Sequence, residues 1–198
     1  MSLSLKSICV YCGSSSGTRP VYVEAAQAFG RALVEAGCSL VFGGGRVGLM
    51  GTIADAVLGA GGRAVGVIPR LLLEKEVGHT GLSELHVVAD MHERKKMMAD
   101  LSDAFVALPG GAGTLEELFE VFTWAQLGYH AKGIGLLDID GYYRPLVAML
   151  EHTVNEGFMQ REYLDMLQID AQPDALISKL QRYHPPRRDK WASEREAV

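Results

Sequence analysis

At 198 residues, 48% of them apolar, the chain is long enough for one domain with a single core and too apolar for a disordered segment. Its 19 lysines and arginines against 24 aspartates and glutamates leave a formal charge of -5, which argues against a dedicated nucleic-acid binder without excluding a small anionic ligand. No run approaches the roughly 20 apolar residues of a membrane helix, no signal-peptide pattern opens the chain, and three cysteines fit a reducing compartment, so a cytoplasmic protein with no membrane partner is expected.

The first strand-like run is "SICVYC" (7–12), followed by the loop "CGSSSG" and a helical pattern over 20–36. "SLVFG" (39–43) leads through "GGGRVG" into a helix over 48–60. "RAVGVI" (63–68) and "ELHVVA" (84–89) read as the third and fourth strands, with a helix after them at 91–101. Then come "AFVAL" (104–108), the loop "PGGAGT" and a helix over 114–127, and finally "GIGLLD" (133–138) with a helix over 144–156. Most of these strands are continuously apolar, as a parallel sheet covered on both faces requires. The pattern predicts a doubly wound, mainly parallel, Rossmann-like α/β sheet with helices on both faces. Residues 1–183 form one domain, and the charged, aperiodic 184–198 is expected to be a loosely held tail. Cys9 and Cys12 form a C-x-x-C, but the odd spacing sends them to opposite faces of a strand and no second pair completes a zinc site. No metal or cofactor set is therefore expected.

In such a sheet the ligand lies beyond the carboxyl ends of the strands. Three of those ends carry small, flexible residues: Gly13 and Ser14 after the first, Gly43, Gly44 and Gly45 after the second, and Gly110, Gly111 and Gly113 after the fifth. Glycine lets main-chain N–H groups approach a ligand, and a helix that starts directly after such a loop adds free amides and partial positive charge. This is phosphate-binding chemistry. Gly43, Gly45 and Gly48 spell G-x-G-x-x-G, which opens a dinucleotide alternative. The next strand ends in Pro69 and Arg70 with no acid for a ribose hydroxyl, which leaves only an NADP-dependent oxidoreductase in play.

Glu117 has two readings. Thr114 and Glu117 fit the T-x-x-E capping box, with Thr114 as N-cap and Glu117 serving only a backbone N–H. Three glycines ahead of the helix are more than a capping box needs, and they favour a carboxylate set beside a phosphate loop. Leu115, Leu118, Phe119 and Phe122 are expected to face the sheet, with Glu117, Val121 and Trp124 on a second, covered face. In "MHERKKMM", Met91, Arg94, Lys95 and Met98 share one helix face. Either the two cations snorkel to water, or an arginine points into a pocket to meet an anion or orient a carboxylate.

"MHERK", "PGGAGTLEE" and "FTWAQLGYH" together closely resemble the LOG (LONELY GUY) family of cytokinin riboside 5'-monophosphate phosphoribohydrolases. Pro109 to Glu117 match its P-G-G-x-G-T-x-x-E pattern without departure, and "YCGSSSG", "GGGRVGLMG" and "DGYY" extend the resemblance from about Ser7 to the 170s. The resemblance implies hydrolysis of the N-glycosidic bond of a purine nucleoside 5'-monophosphate, giving ribose 5-phosphate and either an N6-prenylated adenine or adenine. It implies Arg94 and Glu117 as the catalytic pair. It also implies substrate binding by Glu76, Lys95, Gly111, Ala112, Gly113, Thr114, Leu115, Glu116 and Thr123, and a homodimer or larger homo-oligomer. Asp90 and Glu76 are the candidates for an acid that protonates the leaving base. Many members carry the label "lysine decarboxylase", yet no Schiff-base lysine with partners for pyridoxal phosphate is identifiable. A non-catalytic nucleotide carrier or sensor on the same fold is the competing function.

Overall fold

The computed structural model describes residues 5–76 and 78–186 of the chain. Seven strands form one parallel sheet: β1 (Ser7–Tyr11), β2 (Ser39–Phe42), β3 (Ala64–Pro69), β4 (Glu84–Val88), β5 (Ala104–Ala107), β6 (Gly133–Leu137) and β7 (Leu167–Asp170). Their spatial order is β4-β3-β2-β1-β5-β6-β7. The helices are α1 (Pro20–Glu35), α2 (Gly48–Gly59), α3 (Arg70–Glu76), α4 (Met91–Asp100), α5 (Ala112–Gln126), α6 (Arg144–Asn155), α7 (Arg161–Leu164) and α8 (Pro173–Gln181). The doubly wound α/β fold expected from the apolar strand runs is therefore present.

Period-two alternation along β1 divides the core into two layers. Ile8, Val10 and Cys12 pack with Phe29, Leu33 and Ile53 under α1 and α2. Cys9 and Tyr11 pack on the other face with Phe105, Leu118 and Phe122 under α5. Cys9 and Cys12 thus lie on opposite faces of the sheet, as their spacing requires. Both strand faces are covered, and burial of these apolar side chains is the main favourable term holding the layers together.

Four elements were not among the expected ones: α3, α7, β7 and α8. The fifth helix also begins at Ala112 rather than Thr114, so Gly111 is its N-cap and Thr114 lies inside its first turn. Residues 187–198, most of the expected charged tail, fall outside the described residues. Among the described residues no helix is long and apolar enough to cross a membrane.

The strand order reverses between β1 and β5, so the loops leaving these neighbours part to opposite sides and open a crevice. Main-chain bonds lock three loops together there. The Gly13 N–H donates to the Pro109 carbonyl at 3.1 Å, and the Leu49 N–H donates to the Gly13 carbonyl at 3.0 Å. Gly48 opens α2 with φ of 59°, and a Cβ on it would overlap the main chain of Ser14. Gly48→Ala should therefore cost about 2 kcal/mol or more of stability. A urea midpoint equal to that of the wild type would show that this junction is not fixed as described.

Candidate active site

Beyond the ends of β1 and β5 lies a cleft of about 280 Å³. Its walls come from Cys12, Gly13 and Ser14, from Met50 at the start of α2, from Met91 and Arg94 of α4, and from Gly111 to Thr114, Glu116 and Glu117 of α5. Arg94 and Glu117, the pair singled out in the sequence, therefore share one cavity with the glycine loop.

Arg94 does not snorkel. It is 7% exposed, its Nε donates to the Val67 carbonyl and its Nη2 to the Gly43 carbonyl, each at 3.2 Å. Those two carbonyls, within β3 and just after β2, hold the guanidinium, and its Nη1 meets the Met91 Sδ at 3.6 Å. Gly43 is needed for this, because a Cβ there would overlap Nη2. Gly44 and Gly45 lie behind it, buried: Gly44 has φ of 75° and its carbonyl accepts from the His79 N–H, while Gly45 forms an isolated bridge with Gly78. The first glycine of the G-x-G-x-x-G thus accommodates a side chain of this chain and not a pyrophosphate.

Lys95 is also buried, at 9%, but it points elsewhere: its Nζ meets Glu116 Oε1 at 2.6 Å and Glu120 Oε1 at 3.0 Å. Burial works to lower its pKa, and the two carboxylates outweigh that and raise it. An ammonium held charged in this way is the reverse of what Schiff-base chemistry asks of a lysine.

The capping-box reading of Thr114 and Glu117 does not hold. No side chain caps α5; Thr114 is buried against Gly110, and Glu117 is half-buried on the cleft wall. The buried face also differs from the expected one. Thr114, Leu118, Val121, Phe122 and Ala125 face the core, whereas Phe119 is exposed. Val121 therefore belongs to the sheet side and not to a second face with Glu117. Burial raises the Glu117 pKa, the Arg94 charge opposes this, and Glu116 adds to it; the net result is a carboxyl pushed up from its ordinary 4.5 to about 7.

The remaining sequence candidates scatter. Leu115 is half-buried against the core beside the cleft, and Thr123 is exposed farther along α5 and does not line it. Glu76 ends α3, and its side chain lies outside the described residues. Asp90 is not an acid in waiting. It is the N-cap of α4, its Oδ1 accepts from the Glu93 and His92 N–H groups at 2.9 Å each, and these bonds hold its pKa below the usual carboxylate range. Cys12 and Met50 line the cleft without having been singled out for it. Met50 lies one turn after the second glycine loop, and that position was the available signal.

A family described as "Possible lysine decarboxylase" matches residues 50–180. The cytokinin riboside 5'-monophosphate phosphoribohydrolase LOG7 of Arabidopsis thaliana is 49% identical over 180 residues, covering 91% of this chain and 83% of that protein. The LOG1 enzyme of the same plant, with the same description, is 47% identical over 190 residues, covering 96% and 89%. Among solved structures, the molybdenum cofactor binding protein of Rippkaea orientalis superposes with a TM-score of 0.67 at 19% identity, covering 90% of this chain and 96% of that one. The molybdenum cofactor carrier protein of Chlamydomonas reinhardtii gives 0.66 at 20% identity, covering 90% and 97%. Those two likenesses show the fold alone.

A carboxyl whose pKa is raised on folding contributes stability that is complete below about 4.5 and is lost as the pH rises through about 7. Glu117→Gln removes the cost of ionising it. The variant is expected to melt close to the wild type at pH 5 and several degrees above it at pH 8. A thermal scan showing the same difference at both pH values would mean that Glu117 is not desolvated in the folded protein.

Proposed function

The chain belongs to the LOG family of cytokinin riboside 5'-monophosphate phosphoribohydrolases, and on that premise we propose that it hydrolyses the N-glycosidic bond of purine nucleoside 5'-monophosphates to free base and ribose 5-phosphate. The observation that carries the proposal is one cleft in which a buried arginine, a carboxyl of raised pKa and the open N-terminus of α5 converge.

The 5'-phosphate is placed at the amides of Gly111, Ala112, Gly113 and Thr114, which lie at the positive end of a helix and have no intrahelical acceptor. A Cβ on Gly111 or Gly113 would meet none of the described residues, which leaves room there for an anion. Glu117 follows one turn later, beside the sugar. As the base departs, C1' gains positive charge, and the carboxylate stabilises it and guides a water to that carbon. The water supplies the oxygen of the new hydroxyl on C1'. The bonding electrons leave with the purine nitrogen, which takes up a proton. A pKa near 7 suits Glu117 to accept the proton of the attacking water at neutral pH. Arg94 faces it with a fixed positive charge, keeping part of the Glu117 population ionised or binding a ligand oxygen. Met50 and Met91 offer soft, apolar walls for the base. Binding energy from the remote phosphate serves the reacting centre, which favours monophosphates over nucleosides.

Lys95 serves through Glu116, whose carboxylate it holds at the cleft wall. Thr123 lies on the outer face of α5 with the exposed Phe119 and Leu127, a surface suited to a second copy of the chain in a homodimer.

The test is chromatography of AMP and isopentenyladenosine monophosphate incubated with the protein. Free base is expected from at least one of them. Glu117→Gln or Arg94→Ala should reduce the rate by at least about 100-fold, while the glutamine variant still binds AMP. A Glu117→Gln enzyme of near-normal activity would overturn the assigned role, and no base from either nucleotide with folded wild-type protein would overturn the function.

A further inference from the structure

"DGYY" is the part of the family pattern left without a role by the chemistry above. Its structure is specific. Asp140 adopts φ of 53° and Gly141 φ of 75°, a left-handed pair that turns the chain sharply after β6. The Asp138 Oδ1 accepts from the Tyr143 N–H at 2.7 Å, and Arg19 pairs with Asp140. The turn is thereby held at both ends, and it delivers two adjacent tyrosines to the loop between β5 and α5.

Their hydroxyls meet that loop at two carbonyls. Tyr143 donates to Leu108 at 2.6 Å and Tyr142 to Gly110 at 2.6 Å. Between them, the Pro109 carbonyl accepts from the Gly13 N–H at 3.1 Å. The next carbonyl, of Gly111, accepts the first helical bond from the Leu115 N–H at 3.1 Å. Four successive carbonyls are thus drawn away by donors of the protein. In a planar trans peptide the N–H points opposite to the C=O, and the described chain contains no cis bond. Fixing the Gly110 carbonyl therefore also fixes the direction of the Gly111 N–H, and the bond polarises the shared peptide so that this N–H becomes a better donor.

We propose that Tyr142 is a positioning residue for phosphate recognition: its hydroxyl, held on the Gly110 carbonyl, aims the Gly111 amide at the nucleotide's 5'-phosphate and keeps a carbonyl dipole from facing it. The inference rests on the phosphate placement given above and adds the residue that maintains it. Tyr142 is suited to the task because its ring is seated edge-on against both Tyr22 and Tyr143, which restricts the hydroxyl. At 37% exposure it is not a core residue, unlike Tyr143 at 1%, so losing its hydroxyl leaves the fold intact.

The experiment is calorimetric binding of AMP and of adenosine to the Glu117→Gln protein with and without Tyr142→Phe, so that ligand is not consumed. Melting temperature and base release by the Tyr142→Phe single variant are measured alongside. The expected result is a loss of about tenfold in AMP affinity with adenosine affinity unchanged and the same melting temperature. Equal AMP affinity in the two proteins would overturn the inference, as would a matching loss for AMP and adenosine, which marks a general structural role. The two layers separate cleanly. A wild type that releases no base, combined with an AMP-selective loss, sinks the proposed reaction and keeps the positioning role. Normal base release without an AMP-selective loss does the reverse.

Discussion

A buried guanidinium is the constraint around which the site is arranged. Removing a charge from water costs several kcal/mol unless partners replace the lost hydration. Arg94 recovers part of that from two main-chain carbonyls, Val67 within β3 and Gly43 just after β2. Arg94 and Glu117 line the same cleft, and the Arg94 charge opposes the rise that burial imposes on the Glu117 carboxyl. Burial pushes Glu117 towards its neutral form, and the arginine pushes it towards its ionised form. Their competition sets a group that changes state near neutrality, which is where a proton-accepting carboxylate is useful.

The same constraint reaches back into the fold. A Cβ at 43 would displace the guanidinium from the place it holds here. Once glycine stands at the end of β2, the following loop is free to fold back, and it does so under the segment containing Gly78 and His79. A glycine string that looks like a dinucleotide fingerprint is in this chain a socket for an arginine. The anion-binding role is proposed instead for the fifth-strand loop, where a Cβ at 111 or 113 would meet none of the described residues.

Much of this was legible because the signals were strong and local. Continuous apolar runs in β1, β2, β3 and β5 specify a parallel sheet, and Arg94 beside Met91 and Met98 announced a cation on an apolar face. What escaped was weak or non-local. β7, "LQID", is short and half-polar because it lies at the sheet edge with one neighbour only, β6. α3 follows Pro69 directly and spans seven residues, too few for periodicity to register. The start of α5 moved because T-x-x-E mimics a cap, while glycine, without a side chain to compete, is tolerated at the N-cap and in the first turn. The buried stripe runs through Thr114, Leu118, Val121, Phe122 and Ala125, one step round the helix from the expected 115, 118, 119 and 122, so Val121 takes the core position and Phe119 the exposed one. The role of the tyrosines was not readable at all, since the carbonyls they bind lie more than 30 residues away in sequence.

Gly113 poses a sharper question than any glycine in a turn. It lies inside the first turn of α5 at ordinary backbone angles, without positive φ and without a neighbour within reach of a Cβ. In that position alanine would serve the helix better by roughly 1 kcal/mol. Packing among the described residues gives no reason for the glycine, and the proposed phosphate site supplies one. The exposed apolar residues of α5 and its C-cap, Phe119 and Leu127, stand on its flank rather than at its amino end. The proposed phosphate, which must reach the main chain there, is the kind of partner that a methyl group would obstruct. The stability forgone at Gly113 thus belongs with the burial of Arg94 and the raised pKa of Glu117 as a cost concentrated on one cleft, and the three are offset by the apolar layers on either side of the sheet.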